Sequence, residues 1–340
     1  MKIVIVGAGL AGAICVYLLH KKYPSAEIIV YEKNEIGGLM VNMKVNGMTV
    51  QKYGPHVFHT SNNDVRDLML EIFDKYNIEW ETYYLQVYAS VNNKIITLPY
   101  SKLTGLNHDE YYSQIIKPYT LKQWGKINNN AINRLHELKY FTTHYHTPET
   151  FSCIFDHTTF FNQIFSSATI IHKELTEHDL ANMNADIKIY TGYRENCQFK
   201  YTKFVHELLN DDLHCLQMNV PDINVEYTRI MDYCYLSNKP IQTDLHPICK
   251  EVPLHVKAPV SLQEISLEKS VPCKGTPLEE LGSCKESANS YKIVTYPIGE
   301  VVRDYEGIVY LGRFGVHKYL DMECVVNDVL QWFKQQQLNR

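Results

Sequence analysis

The sequence has no CxxC pair, no internal repeat and no low-complexity tract. Its nine cysteines stand apart at positions 15, 153, 197, 215, 234, 249, 273, 284 and 324. An odd, scattered set excludes a disulfide framework, argues against a structural zinc site and fits a reducing cytosol. Positive charge is also short. A net charge of −5 over 340 residues removes nucleic acid as a general partner, though a local basic pocket for a phosphate remains compatible with it. No membrane span is expected either. The opening "MKIVIVGAGLAGAICVYLLHKK" is apolar enough to resemble a signal peptide or a short anchor. However, glycines interrupt it, no A-x-A-type cleavage site follows, and a second strand begins directly afterwards. The expectation is a cytoplasmic protein without a membrane partner. What remains is ordinary globular composition, 45% apolar and 21% charged, long enough for two packed units or one large domain with insertions. Tyrosine is abundant, at 25 residues. Its ring stacks on flat groups and its hydroxyl bonds phosphate or sugar oxygens, but a tyrosine-rich core explains the number equally well.

The N-terminal pattern carries chemistry. "KIVIV" predicts a buried parallel strand, "AGAICVYLLHKK" a helix with Lys21 and Lys22 where cations suit its dipole, and "EIIVYEK" a second strand. Gly7, Gly9 and Gly12 supply GxGxxG between strand and helix, and Glu32 lies 20 residues beyond Gly12. A bound dinucleotide requires this arrangement. Gly7 makes the turn, Gly9 lets backbone approach a pyrophosphate at the helix N-terminus, and Gly12 permits close packing. The carboxylate takes ribose hydroxyls.

Gly37 and Gly38 in "EKNEIGG" resemble the second fingerprint of FAD-binding folds. "GIVYLGRFG" followed by "MECVVNDVLQWFKQQQ" resembles the strand, turn and helix with which many such folds close. FAD is therefore the expected dinucleotide. Further along, "YGPHVFHT" sets His56 and His59 three apart behind a Gly54-Pro55 bend. With "PYTLKQWG", "IYTG", "EYTRI", "CKEVPL", "TYPIG" and "LGRFGVHKYLDM", these segments resemble the UDP-galactopyranose mutase family, in family order and across nearly the whole chain. The resemblance is to a shortened, diverged, flavin-dependent member.

That resemblance implies roles residue by residue. His56 and His59 would lie against the flavin, and no metal is expected there or elsewhere. Tyr119 and Trp124 would hold the uridine end and shape the sugar cleft. Arg229 and Arg313 would sit near the flavin and the substrate phosphates, where a planar guanidinium suits the geometry. Glu251 would lie near the sugar, Tyr296 and Tyr319 on the diphosphate, and Asp321 and Met322 beside the cofactor. Departures are present. The family's diphosphate arginine has no counterpart in "ELKYFTTHYHTPE". Lys139 can be placed there and Tyr145 matches the tyrosine that follows, while the helical lid looks trimmed.

The implied architecture is α/β. A Rossmann-like FAD-binding domain would form from residues 1–82, 155–192 and 295–340, with a small helical substrate-lid insert at 101–154. An antiparallel sheet domain from 83–100 and 193–294, including a hairpin turning at Asn92-Asn93, would lie over the flavin. The implied activity is interconversion of UDP-galactopyranose and UDP-galactofuranose, or of a related UDP-sugar. In the family, reduced-flavin N5 attacks the anomeric carbon, and UDP leaves and returns as the ring recloses through O4 or O5. Being redox-neutral, the reaction needs positioning and charge stabilisation rather than a catalytic triad. FAD must be reduced, so a reductant, NAD(P)H or a reductase, is an expected partner beside the UDP-sugar; a homodimer is left open. Two other readings stay open: an amine-oxidase-like flavin oxidoreductase, and a diverged flavoprotein that binds FAD or a nucleotide sugar without mutase turnover.

Overall fold

The computed structural model describes residues 1–91, 94–98, 106–125, 150–195, 197–254, 289–298, 301 and 304–338. Lys2–Val6 (β1) runs into Leu10–Lys22 (α1) and then Glu27–Glu32 (β2). The first sheet has five strands, all parallel. Thr169–His172 (β10) pairs with β2, β2 with β1, β1 with Ile187–Tyr190 (β11), and β11 with Val309–Tyr310 (β17). Every residue of α1 from Leu10 to Leu19 is buried. A helix apolar on all sides belongs inside a protein or a membrane, and 13 residues are too few for the roughly 20 that cross a bilayer. Here Met322–Leu338 and His157–Phe165 cover it. That packing accounts for the signal-like look of the N-terminal run. Among the described residues, no helix is long and apolar enough to cross a membrane.

The second sheet has seven strands in the order β16-β12-β15-β14-β13-β7-β8. Their ranges are Val87–Val91 (β7), Lys94–Leu98 (β8), Gln198–Leu209 (β12), Gln217–Asn219 (β13), Arg229–Asp232 (β14), His246–Leu254 (β15) and Asn289–Ile298 (β16). All neighbours are antiparallel except β13 and β7. The expected hairpin is present as the pairing of Val91 with Lys94, although Asn92-Asn93 lies outside the described residues. Asn289–Ile298 belongs wholly to this sheet, so its last residues do not open the dinucleotide-binding unit as expected from 295 onward.

Two small sheets join the large ones. Asn42–Val45 (β3) and Met48–Gln51 (β4) form a hairpin whose Asn46 and Gly47 both take positive φ, the demand of a tight primed turn. Phe151–Phe155 (β9) is the central strand between Phe58–Thr60 (β5) and Trp80–Thr82 (β6). The stretch expected to be a helical insert over 101–154 therefore ends as strand. "FSCIF" has buried residues on both faces, and a run that short does not distinguish strand from helix by periodicity. Its earlier part does contain helix: His108–Tyr111 (α3), one π-helical stretch at Tyr112–Ile116, and Lys117–Trp124 (α4), stopped by Gly125 at φ 71°. "NNAINRLHELKYF", with Lys139 and Tyr145, lies outside the described residues.

Candidate functional site

The first half of the site is the turn after β1. Gly7 has φ 100° and donates its N–H to Tyr31 O at 2.8 Å, which fixes the turn against β2. A Cβ at Gly12 would lie 2.1 Å from Gly7 O, so only glycine fits the close crossing of turn and helix. Gly9 caps α1 with no side-chain hydrogen bond, and no acidic residue stands in the first turn of that helix. Gly38 closes the cradle from the other side. A Cβ there would lie 3.2 Å from Gly9 Cα, and Gly37 donates to Ala8 O at 2.9 Å. Glu32 reaches the same turn, accepting the Ala8 N–H at 2.8 Å on Oε2 and the Asn34 N–H at 2.8 Å on Oε1. Each carboxylate oxygen has a second lone pair, which suits it to take a ribose hydroxyl as well. Two glycine turns at a helix N-terminus, with an acceptor at the end of β2, fit a dinucleotide.

The C-terminal strand meets this turn. A Cβ at Gly312 would clash with Ala11 Cβ at 2.6 Å, and Gly312 N–H is held by Asp328 at 2.9 Å. Arg313 follows at once. Its Nε donates to Leu320 O at 2.7 Å and its guanidinium lies 4.9 Å from the centre of the exposed Tyr319 ring. Asp321 serves the start of the last helix, accepting the Cys324 N–H at 2.9 Å, and Met322 is that helix's first residue.

The histidine loop lies between the two sheets. Gly54 takes φ 84°, and a Cβ there would press on Phe204 at 3.2 Å, which explains the glycine before Pro55. The His56 N–H donates to the Gln51 side chain. Burial, then His157, Arg313 and Arg229 in that order, push the His56 imidazole down to about 3, so the ring is neutral at physiological pH. His157 stands beside it with ring centres 6.3 Å apart, and burial lowers it to about 4. His59 is on β5, its Nδ1 3.4 Å from Val57 O. Thr60 next to it donates to Glu323 at 2.8 Å, tying the loop to the last helix.

The antiparallel sheet supplies the opposite wall. Arg229 and Glu251 face each other across β14 and β15, with Nε 2.6 Å from Oε2 and the carboxylate side chain 3% exposed. Gln123 from α4 donates to the other carboxylate oxygen at 3.0 Å. Lys200 comes from β12, where a register shift after it marks a bulge, the device by which strands re-aim a side chain beside a site. Burial lowers its ammonium to about 8, against the pull of Glu251. The backbone of Tyr296 pairs with Lys200, and Tyr119 and Trp124 lie on α4.

The predicted His56, Arg229, Arg313 and Glu251 thus converge, because His56 lies within electrostatic reach of both arginines and Glu251 holds one of them. Sequence reasoning missed Gln123, Lys200 and His157. Gln123 lies inside the quoted "PYTLKQWG" and was within reach, whereas nothing local marks a lysine in a strand. Such a wall of arginine, neutral imidazole and buried glutamate can hold a diphosphate and a sugar against a flat cofactor; it offers no nucleophile–base pair of its own.

Comparison with known proteins agrees with this geometry. The NAD(P)-binding Rossmann-like domain family matches residues 5–72. A protein of Klebsiella pneumoniae named "Probable UDP-galactopyranose mutase" is 23% identical, covering 97% of this chain and 93% of its own. A crystal structure of reduced UDP-galactopyranose mutase shares the fold with a TM-score of 0.68 at 13% identity, covering 100% of this chain and 94% of that one. A redesigned putrescine oxidase shares it with a TM-score of 0.52 at 10% identity, covering 100% and 99%. The chain is similar in sequence to that Klebsiella protein over nearly its whole length and shares the fold of a UDP-galactopyranose mutase, a fold that extends to an oxidase.

Proposed function

We propose that the protein binds FAD in the cradle formed by Gly7, Gly9, Gly12, Glu32, Gly37 and Gly38, and acts as a mutase on UDP-galactopyranose, UDP-galactofuranose or a related UDP-sugar. The observation that carries this reading is the convergence on His56 of Arg229 from the antiparallel sheet and Arg313 from the short helix Gly312–Gly315 that follows β17, beside the dinucleotide turn. When bound and reduced, FAD supplies the nucleophile that ring contraction needs at the anomeric carbon. The chain's own residues do the rest. Arg229, aimed by Glu251 and through it by Gln123, and Arg313 hold the negative charge of the departing diphosphate. Tyr119, Trp124, Tyr296 and Tyr319 stack on the uridine and bond the phosphates, with Lys139 and Tyr145 completing that end. Neutral His56 offers the flavin face a hydrogen bond without a positive charge that would repel Arg229 and Arg313, and His59 on β5 stands at the same face. Asp321 and Met322 fix the helix start that borders the cofactor.

On this reading, residues 1–82 and 155–192 with the C-terminal segment from β17 onward carry the cofactor, the antiparallel sheet lies over it, and the helical segment covers the substrate. The working compartment is the cytoplasm, with NAD(P)H or a reductase as electron donor. The test is incubation of dithionite-reduced protein with UDP-galactofuranose, and expected is UDP-galactopyranose. Absence of conversion of UDP-galactofuranose and of related UDP-sugars by flavin-replete, reduced protein refutes the mutase. Oxygen consumption with an amine would instead support the oxidase reading that the wider fold likeness allows.

A further inference from the structure

At the far end of β14 three side chains meet that the site above does not use. Asp232 ends the strand, Cys234 follows in the 3-10 turn Tyr233–Tyr235, and His246 opens β15 across from them. All three are buried, and one ligand atom from each lies within 4.8 Å of the others. Asp232 Oδ1 accepts the Cys234 N–H at 3.0 Å, and its Oδ2 lies 2.7 Å from His246 Nδ1. A plain buried Asp–His pair with a packing cysteine accounts for two of these groups but leaves the convergence of a third donor to chance. A second layer surrounds them. Asp212 is within electrostatic reach of His246 and Cys234, accepts the Tyr235 hydroxyl at 2.7 Å and pairs with His214 at 3.0 Å.

We propose that Asp232, Cys234 and His246 bind one zinc ion, with Asp212 or a water in the fourth position. Carboxylate, thiolate and imidazole are the donors zinc takes, in tetrahedral geometry. Softer or harder cations fit worse, since copper(I) wants more sulfur, and calcium or magnesium want oxygen alone. The ion replaces the proton shared by Asp232 and His246, and their 2.7 Å separation opens to roughly 3.3 Å across a tetrahedral angle. It also displaces the Cys234 proton, which burial and Asp232 otherwise hold on by pushing the thiol up to about 12. Zinc would cross-link β14, β15 and the segment around Asp212. Arg229 begins the same strand three residues earlier, roughly 10 Å away. The role is therefore structural: the ion braces the sheet that presents Arg229 and Glu251.

The test uses the full chain, stripped with chelator and titrated with zinc chloride, then with cobalt chloride. Expected are one equivalent of zinc, a raised melting temperature, and a cobalt form with tetrahedral d–d bands to the red of flavin absorption plus sulfur-to-cobalt charge transfer. Cys234→Ser and His246→Gln should weaken zinc binding more than about a hundredfold, beyond the loss typical of outer partners. Cys324→Ser, on the exposed cysteine, should leave it unchanged. No zinc uptake by the wild type, or zinc affinity unaltered in Cys234→Ser, overturns the proposal. Should that variant fail to fold, a wild-type cobalt spectrum without sulfur charge transfer overturns it equally.

Discussion

Gly9→Ala separates a glycine kept for the fold from one kept for a ligand. Gly9 has φ −86° and ψ −167°, a conformation alanine adopts without strain. An added Cβ would meet nothing nearer than Gly38 Cα at 3.8 Å, ordinary van der Waals contact. Replacing glycine at a helix cap by alanine costs up to about 1 kcal/mol, and the stiffer unfolded chain offsets about 0.4–1 kcal/mol of that. The unliganded protein should therefore keep its stability within about 1 kcal/mol. The ligand should not tolerate the methyl, which projects into the gap between the two glycine turns where the pyrophosphate must approach backbone N–H groups. A lost hydrogen bond to a charged group is worth about 1.5–3 kcal/mol, so FAD affinity should fall by roughly tenfold to a hundredfold. Urea unfolding of flavin-free protein and titration with FAD measure the two quantities. Gly12→Ala is the contrast, since its Cβ would lie 2.1 Å from a backbone carbonyl oxygen and should destabilise by about 3 kcal/mol, the upper end of the usual cost of overpacking. If Gly9→Ala unfolds as readily as Gly12→Ala, or binds FAD like the wild type, the reasoning fails.

Three further outcomes are expected. His157 is depressed to about 4 in the folded chain against an unperturbed value near 6.5, so between those values the unfolded chain holds a proton the folded one lacks. Stability must then fall as pH drops from 7 toward 4, and His157→Leu should flatten that slope in denaturant melts at stepped pH. Glu251→Gln keeps the shape but leaves Arg229 without its charged partner; kcat/KM for UDP-galactofuranose should drop tenfold to a hundredfold, about 1.5–3 kcal/mol, with flavin content unchanged. If Lys139 meets the diphosphate as proposed, it does so as a point charge without the guanidinium fork, so Lys139→Ala should weaken UDP binding and Lys139→Arg should tighten it in calorimetry; equal affinities would refute that role.

What was legible in the sequence was local. Gly7, Gly9, Gly12 and Glu32 act through one turn and two flanking strands, so their spacing alone implies their contacts. The Asn46-Gly47 hairpin was equally local and went unread. Lys200 and Glu251 meet only because β12 and β15 pair, after more than 40 intervening residues, and the bulge that goes with Lys200 leaves no mark in composition. The same holds for Asp232 and His246. Scattered cysteines argued against zinc because motif spacing was the only guide, whereas a sheet can bring donors together at any spacing. His157 was hidden for a different reason: it reads as the first residue of a helix capped by Asp156, and its partner His56 lies about 100 residues earlier.

One buried side chain links these features. Gln51 ends β4; its side-chain oxygen takes the His56 N–H and its backbone carbonyl takes the Tyr233 hydroxyl. Tyr233 is the first residue of the turn that carries Cys234. On one side, then, Gln51 fixes the loop that presents a neutral imidazole, and on the other it touches the turn proposed to hold an ion. Thr60–Glu323 pins the far end of the same loop to the last helix. A loop held at both ends, with left-handed Gly54 and Pro55 between them, has little freedom to follow a ligand. It suits a reaction whose demand is placement. The sugar's reacting carbon must meet a fixed partner, and the diphosphate charge must meet fixed arginines when the bond breaks. Gln51→Leu would remove the side-chain acceptor of the His56 N–H and leave the backbone carbonyl that takes the Tyr233 hydroxyl. If the loop's rigidity matters to turnover and the ion braces the sheet independently, this substitution should lower kcat for UDP-galactofuranose while zinc stoichiometry stays at one.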